Sequence, residues 1–106
     1  MKLQAYSVFD SKAKFFVKPF YCANDMVALR LFGSAASDRT LDIGKFPTDF
    51  SLFHVGEWDD DSGTFTQVSP LRNLGLAAQF IEAPVSSVAV DQVERKLSQK
   101  EVGNVR

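Results

Sequence analysis

Two stretches of period-two alternation, each closed by an Asp-led turn, constrain this chain more than any other feature. Over residues 3–9, Leu3, Ala5, Ser7 and Phe9 fall on one side and Gln4, Tyr6 and Val8 on the other. Apolar groups on both sides are what a strand in the middle of a sheet requires. Asp10, Ser11 and Lys12 follow with turn chemistry, because Asp and Ser side chains bond to nearby backbone amides. Residues 15–20 form a β-prone run rich in Phe, so a first hairpin is expected. Its second strand should end at Pro19 or lie on an edge, since proline lacks the ladder amide. Over residues 52–59 the alternation returns, with Phe53, Val55 and Glu57 opposite Leu52, His54, Gly56 and Trp58. Asp60, Asp61, Ser62 and Gly63 supply a turn whose glycine is free to take positive φ, and residues 64–68 form the partner strand of a second hairpin.

Between the hairpins, Asn24 is a good N-cap and Asp25 places negative charge in a first helical turn. Val27, Ala28, Leu31, Phe32, Ala35 and Ala36 make a wide apolar stripe, with Arg30, Ser34 and Ser37 on the other side. Residues 37–47 have no period and read as a connecting loop, with a tight turn at Pro47 to Phe50. The Leu-rich stretch 70–81 reads as a second short helix despite Gly75. The expected fold is α+β: an antiparallel sheet of about four strands from two hairpins, one main helix packed on it, and a second short helix. One domain is expected over 1–84, with a polar tail over 85–106 that is disordered or a frayed helix.

Composition narrows the function by exclusion. Formal charge is −1, so net charge argues neither for nor against an anionic partner, but the charge is segregated. Residues 1–45 carry seven Lys/Arg against four acids, 46–94 carry one against eight, and 95–106 carry four against one. The lone Cys22 cannot form an internal disulfide, and no window approaches the roughly 20 apolar residues of a membrane span. A cytoplasmic, membrane-free protein is expected. Ten Phe and the broad helical stripe point to a homo-oligomer, most simply a two-fold dimer.

Three constellations carry possible chemistry. Lys12, Lys14, Phe15, Phe16, Lys18, Phe20 and Tyr21 interleave cations with rings, as proteins do when they neutralise phosphates and stack on unpaired bases. The plainer account is a strand with Phe15 and Val17 in the core and its lysines in water. On alternation alone, Phe16, Lys18 and Phe20 share one face. Asp59, Asp60 and Asp61 resemble a calcium loop only superficially, because the spacing fails and the closing Glu is missing. His54, the only histidine, lies near Glu57 and Asp59 in sequence, but alternation sends His54 and Glu57 to opposite faces, against a metal-dependent nuclease. No metal or cofactor is expected, and no catalytic residues.

Several blocks resemble the small nonstructural protein of the gokushoviruses, tailless single-stranded DNA phages of the Microviridae. They are Tyr6-Ser7-Val8-Phe9-Asp10-Ser11-Lys12-Ala13, Pro19-Phe20 leading to Asn24-Asp25, Ala28 with Arg30 and Phe32, and Pro47 with Asp49-Phe50-Ser51-Leu52-Phe53, Val55-Gly56-Glu57-Trp58-Asp59-Asp60 and Gly63. The resemblance implies a non-catalytic accessory factor in the host bacterial cytoplasm, absent from the mature virion, that binds single-stranded DNA during genome synthesis or packaging. Joined to the residue chemistry, it nominates Lys12, Lys14, Lys18 and Arg30 for phosphates and Phe16 and Tyr21 for stacking. The rival expectation is an adaptor that contacts the phage replication initiator or the procapsid without binding DNA itself.

Overall fold

The computed structural model describes residues 1–81; the tail expected over 85–106 lies outside them. Strand β1 (Lys2–Asp10) is the centre of an antiparallel sheet. One edge of β1 pairs with β2 (Phe15–Phe16) and then β3 (Phe20–Cys22), and the other with β4 (Phe50–Asp59), which pairs in turn with β5 (Thr64–Leu76). Helix α1 (Asp25–Ala36) crosses between β3 and β4 and is followed by a single turn, α2 (Asp42–Lys45), and a 3-10 turn over Pro47–Asp49. The α+β sheet-and-helix architecture expected from the hairpins is the one observed.

Local chemistry explains where these elements start. The Asn24 side chain accepts from the Val27 amide at 3.0 Å, capping α1 as its residue type demands. Both hairpins turn through the same device. Asp10 Oδ1 takes the amides of Lys12 and Ala13 at 3.0 and 3.1 Å, and Asp59 Oδ1 takes that of Asp61 at 2.9 Å. Each loop then closes onto the carbonyl of its Asp, from Lys14 N at 2.7 Å and from Gly63 N at 2.8 Å. The closing residue is left-handed in both, with φ of 64° at Lys14 and 71° at Gly63. Glycine takes that conformation freely, whereas a side-chain-bearing residue there is strained by about 1–2 kcal/mol.

The helix covers one face of the sheet. Tyr6 and Leu52 are fully buried on that face and cluster with Cys22, Ala28, Phe32, Ala36 and Ala77. Residues 42–45 of the expected loop form the single turn α2, and the expected strand over 15–20 is divided into β2 and β3. Two further departures arise because long-range pairing overrides local pattern. The stretch 70–81 is not a helix. Strand β5 runs through it to Leu76, because residues 72–76 pair with 51–54 of β4, and only Ala77–Phe80 winds into a 3-10 turn. Gly75, at φ 133°, permits this with a backbone that helices do not use.

The second departure is a β-bulge. Ala5 pairs with Gly56 but Tyr6 pairs with His54, so Val55 is the extra residue on β4. The bulge resets the alternation, and Glu57 falls on the same face as His54 rather than the opposite one. Gly56 marks the spot, because a Cβ there would lie 2.2 Å from the Phe65 ring, which lies over it.

Candidate nucleic-acid interface

The sheet face turned away from α1 carries no helix among the described residues, and its side chains follow from register. Directly paired residues point the same way, so Phe16 shares a face with Phe9, Tyr21 with Ala5, and Phe53 with Ser7. All are on the side opposite Tyr6 and Leu52. The rings of Phe9 and Phe16 lie 4.8 Å apart, and Phe53 packs edge-on to both, 6.4 Å from Phe9 and 5.4 Å from Phe16. Phe65 joins this face over Gly56. Phe16, Tyr21 and Phe65 are 42%, 47% and 47% exposed, and each stands in a strand rather than a loop. Aromatic rings on a sheet face and open to water are suited to stacking on unpaired bases.

The cations divide. Lys12 and Lys14 stand in the β1–β2 turn and Lys18 in the break between β2 and β3, all three exposed along one edge and corner of the sheet, where Lys12 lines an open hollow with Asp10, Asp42, Phe46, Asp49 and Phe50. Arg30 is exposed on α1, whose buried side, with Ala28, Phe32 and Ala36, packs on the opposite face of the sheet. The structure therefore puts Phe16 and Tyr21 on one face, leaves Lys12, Lys14 and Lys18 along the adjoining edge, and places Arg30 on the helix side. Phe16 and Phe20 do not share a face. The break at residues 17–19 turns the chain over, and Phe20 packs on buried Tyr6 with ring centroids 5.9 Å apart. Phe15, expected in the core in the plainer account, is 51% exposed.

Lys14 combines strain with a position at this face. Replacing it by glycine is expected to stabilise the fold by about 0.5 kcal/mol, since relief of the left-handed strain exceeds the added freedom of the unfolded chain. The same change removes one cation and is expected to weaken single-stranded DNA binding about fivefold. Urea denaturation and oligonucleotide titration of Lys14→Gly measure the opposing signs.

On the helix side lies a polar network that alternation alone conceals. The Tyr6 hydroxyl donates to Asp25 Oδ1 at 2.7 Å, and Arg72 donates to Asp25 Oδ2 at 2.8 Å and to His54 Nδ1 at 2.7 Å. A guanidinium only donates, so Nδ1 is the acceptor and Nε2 carries the imidazole proton. That nitrogen meets Gln4 Oε1 at 2.8 Å, and the Gln4 amide donates to Glu57 Oε2 at 3.0 Å. A shallow open pocket lined by Gln4, Asn24, Asp25, Met26, His54 and Arg72 sits above it. Each of these polar groups has its partner, and the network ties the start of α1 to β1, β4 and β5. It braces the fold.

Its ionisation has a defined sign. Arg72 first and the Tyr6 hydroxyl second hold the Asp25 carboxyl below the usual carboxylate range, and burial first and Asp25 second push the Tyr6 phenol up. The depressed carboxyl contributes stability above its unfolded value near ~4, lost as pH falls through the folded value. The raised phenol contributes below its unfolded value near ~10, lost as pH rises towards the folded value. Stability is therefore expected to fall at both ends of the pH range. Tyr6→Phe should remove the phenol's share of the alkaline limb, leaving that of the buried Cys22 thiol, and soften the acid one, as read by urea unfolding at acid, neutral and alkaline pH.

The far end of the sheet is acidic. Carboxylate oxygens of Asp59, Asp60 and Asp61 lie within 4.8 Å of one another. The amine of Met1 bonds to Asp60 at 2.7 Å and to Asp61 at 2.9 Å. Because β1 and β4 are antiparallel, this turn and the Lys12–Lys14 turn stand at opposite ends of the sheet.

A family model described as Phage ORF5 protein matches residues 3–80, which spans both hairpins, the helix and the 3-10 turn after β5. The chain belongs to that family. No curated protein and no solved structure matches it.

Proposed function

We propose that this phage ORF5 family protein is a non-catalytic single-stranded DNA-binding protein. On this reading it acts in genome synthesis or packaging of a gokushovirus-type phage and binds through the helix-free face of its sheet. One observation supports the reading most: three exposed rings, Phe16, Tyr21 and Phe65, share one sheet face, and exposed Lys12, Lys14 and Lys18 stand along an adjoining edge. Stacking is worth about 1–3 kcal/mol per base and tolerates any sequence, while the lysines hold phosphates at the rim. Phe65 extends the set of rings nominated by sequence, and Arg30, nominated for phosphates, lies on the helix side, away from them. An anionic strand is repelled by Asp59 to Asp61, which confines it to the basic part of the sheet.

A backbone and side-chain NMR titration with a short oligo(dT) tests the assignment of the face. Shifts in Phe9, Phe16, Tyr21, Phe53 and Phe65, with Arg30 and Ser34 unmoved, support it. Shifts confined to α1 contradict it.

A second reading is favoured by a different observation. Helix α1 exposes Met26, Val27 and Leu31, at 71%, 38% and 53%, and the acidic turn is unsuited to DNA. An adaptor for the replication initiator or the procapsid would use those surfaces. Pull-down from infected cells with nuclease treatment separates the two, because partners retained without nucleic acid support the adaptor.

A further inference from the structure

The two edges of this sheet are built differently. The β2–β3 edge is cut into strands of two and three residues, separated by Val17, Lys18 and Pro19 and preceded by Lys14. Short strands, lysines and proline are the devices that keep sheet edges from pairing with other chains. Strand β5, at the other edge, pairs with β4 over residues 64–67 before its register shifts, and carries neither lysine nor proline over residues 64–69. Thr64, Phe65, Thr66, Gln67, Val68 and Ser69 are β-prone or neutral, no charged residue stands between Asp61 and Arg72, and the first proline is Pro70. Residues 64–67 are exposed, and no described element pairs with their outer side.

We propose that the outer edge of residues 64–69 in β5 pairs antiparallel with the same edge of a second copy of this chain. The occupant is a second copy because the segment suits itself. An antiparallel pair of identical strands has two-fold symmetry, so the interface closes after two subunits. Charges directly opposite their own copies are unfavourable, and this segment has none. A two-fold axis normal to the sheet keeps both helix-free faces on the same side. Phe65 of each copy then lies beside the seam, and the two aromatic faces become one. This consequence rests on the DNA-binding reading above; the pairing itself does not.

Sedimentation velocity of the full chain without DNA, across the micromolar range, tests the pairing. The parent is expected to dimerise, and Thr66→Lys combined with Gln67→Lys to weaken the dimer about tenfold or more by placing like charges along the seam. The monomer tolerates these changes, because both side chains are exposed and Thr66 faces Glu57 across the ladder. Cysteine at position 66 or 67 should cross-link two copies on oxidation, whereas Thr48→Cys, in the exposed 3-10 turn, should not. A parent monomeric at every concentration overturns the proposal, as does a lysine variant that dimerises like the parent. A dimer that ignores oligonucleotide overturns the DNA reading and leaves the pairing standing.

Discussion

Reversing the charge of Lys14 and Lys18 together is expected to weaken single-stranded DNA binding on the order of 100-fold at about 0.1 M salt. For single strands, log K falls by about 0.7 per phosphate contact for each decade of salt. Two lost contacts at that salt therefore account for about 25-fold, and the new carboxylates add repulsion. The variant should also flatten the salt dependence, reducing the log–log slope by about 1.4. Lys14 and Lys18 are exposed and the fold does not rest on either, so circular dichroism should be unchanged. The matched control compares the single reversals Lys14→Glu and Arg30→Glu, the latter on the far side of the sheet, which should cost far less. Equal losses from these two single variants would mean that net charge, rather than this face, governs binding.

The largest effect on stability is expected at Tyr6. Its side chain is fully buried, contacts the rings of Phe20 and His54, and fixes the first turn of α1 through Asp25. Tyr6→Ala removes a ring from a close-packed core and is expected to cost about 4 kcal/mol. A domain of this size has about 5–15 kcal/mol in all. Tyr6→Phe keeps the ring and loses only the hydroxyl bond to a carboxylate. Bonds to charged groups contribute about 1.5–3 kcal/mol, but the Asp25 side chain is 38% exposed, so water replaces part of it. The expected cost is therefore about 1 kcal/mol, at or below the low end. Urea midpoints with an unchanged m-value measure both, and equal costs for the two variants would contradict the assigned roles.

The parts of this fold written in short-range chemistry were legible in advance. The Asn24 cap, the two Asp-led turns and the alternation in β1 and β4 each depend on residues a few positions apart. What was not legible depends on partners far along the chain. The Leu-rich stretch 70–81 has helical composition, yet pairing with residues 51–54 draws most of it into β5. The Val55 bulge reverses the face of Glu57 and assembles the His54 network, and its only local sign is a glycine inside a strand, at Gly56. The same distinction governs the candidate interface. Phe16 and Tyr21 were identified from their interleaving with lysines and do share a face. Phe65 stands beside them by the β4–β5 register, which no local pattern announces, and Arg30 stands on the other side, which a linear sequence does not reveal because it does not show which side of the sheet a helix covers.

The central claim, that the helix-free face binds single-stranded DNA, is tested most directly by fluorescence anisotropy of labelled single- and double-stranded oligonucleotides across a salt series. The proposed site predicts a preference for the single strand, because stacking needs unpaired bases, and a log–log salt slope of about −2 from Lys12, Lys14 and Lys18. Absence of binding to the single strand at low salt would contradict it, and so would equal affinity for the duplex.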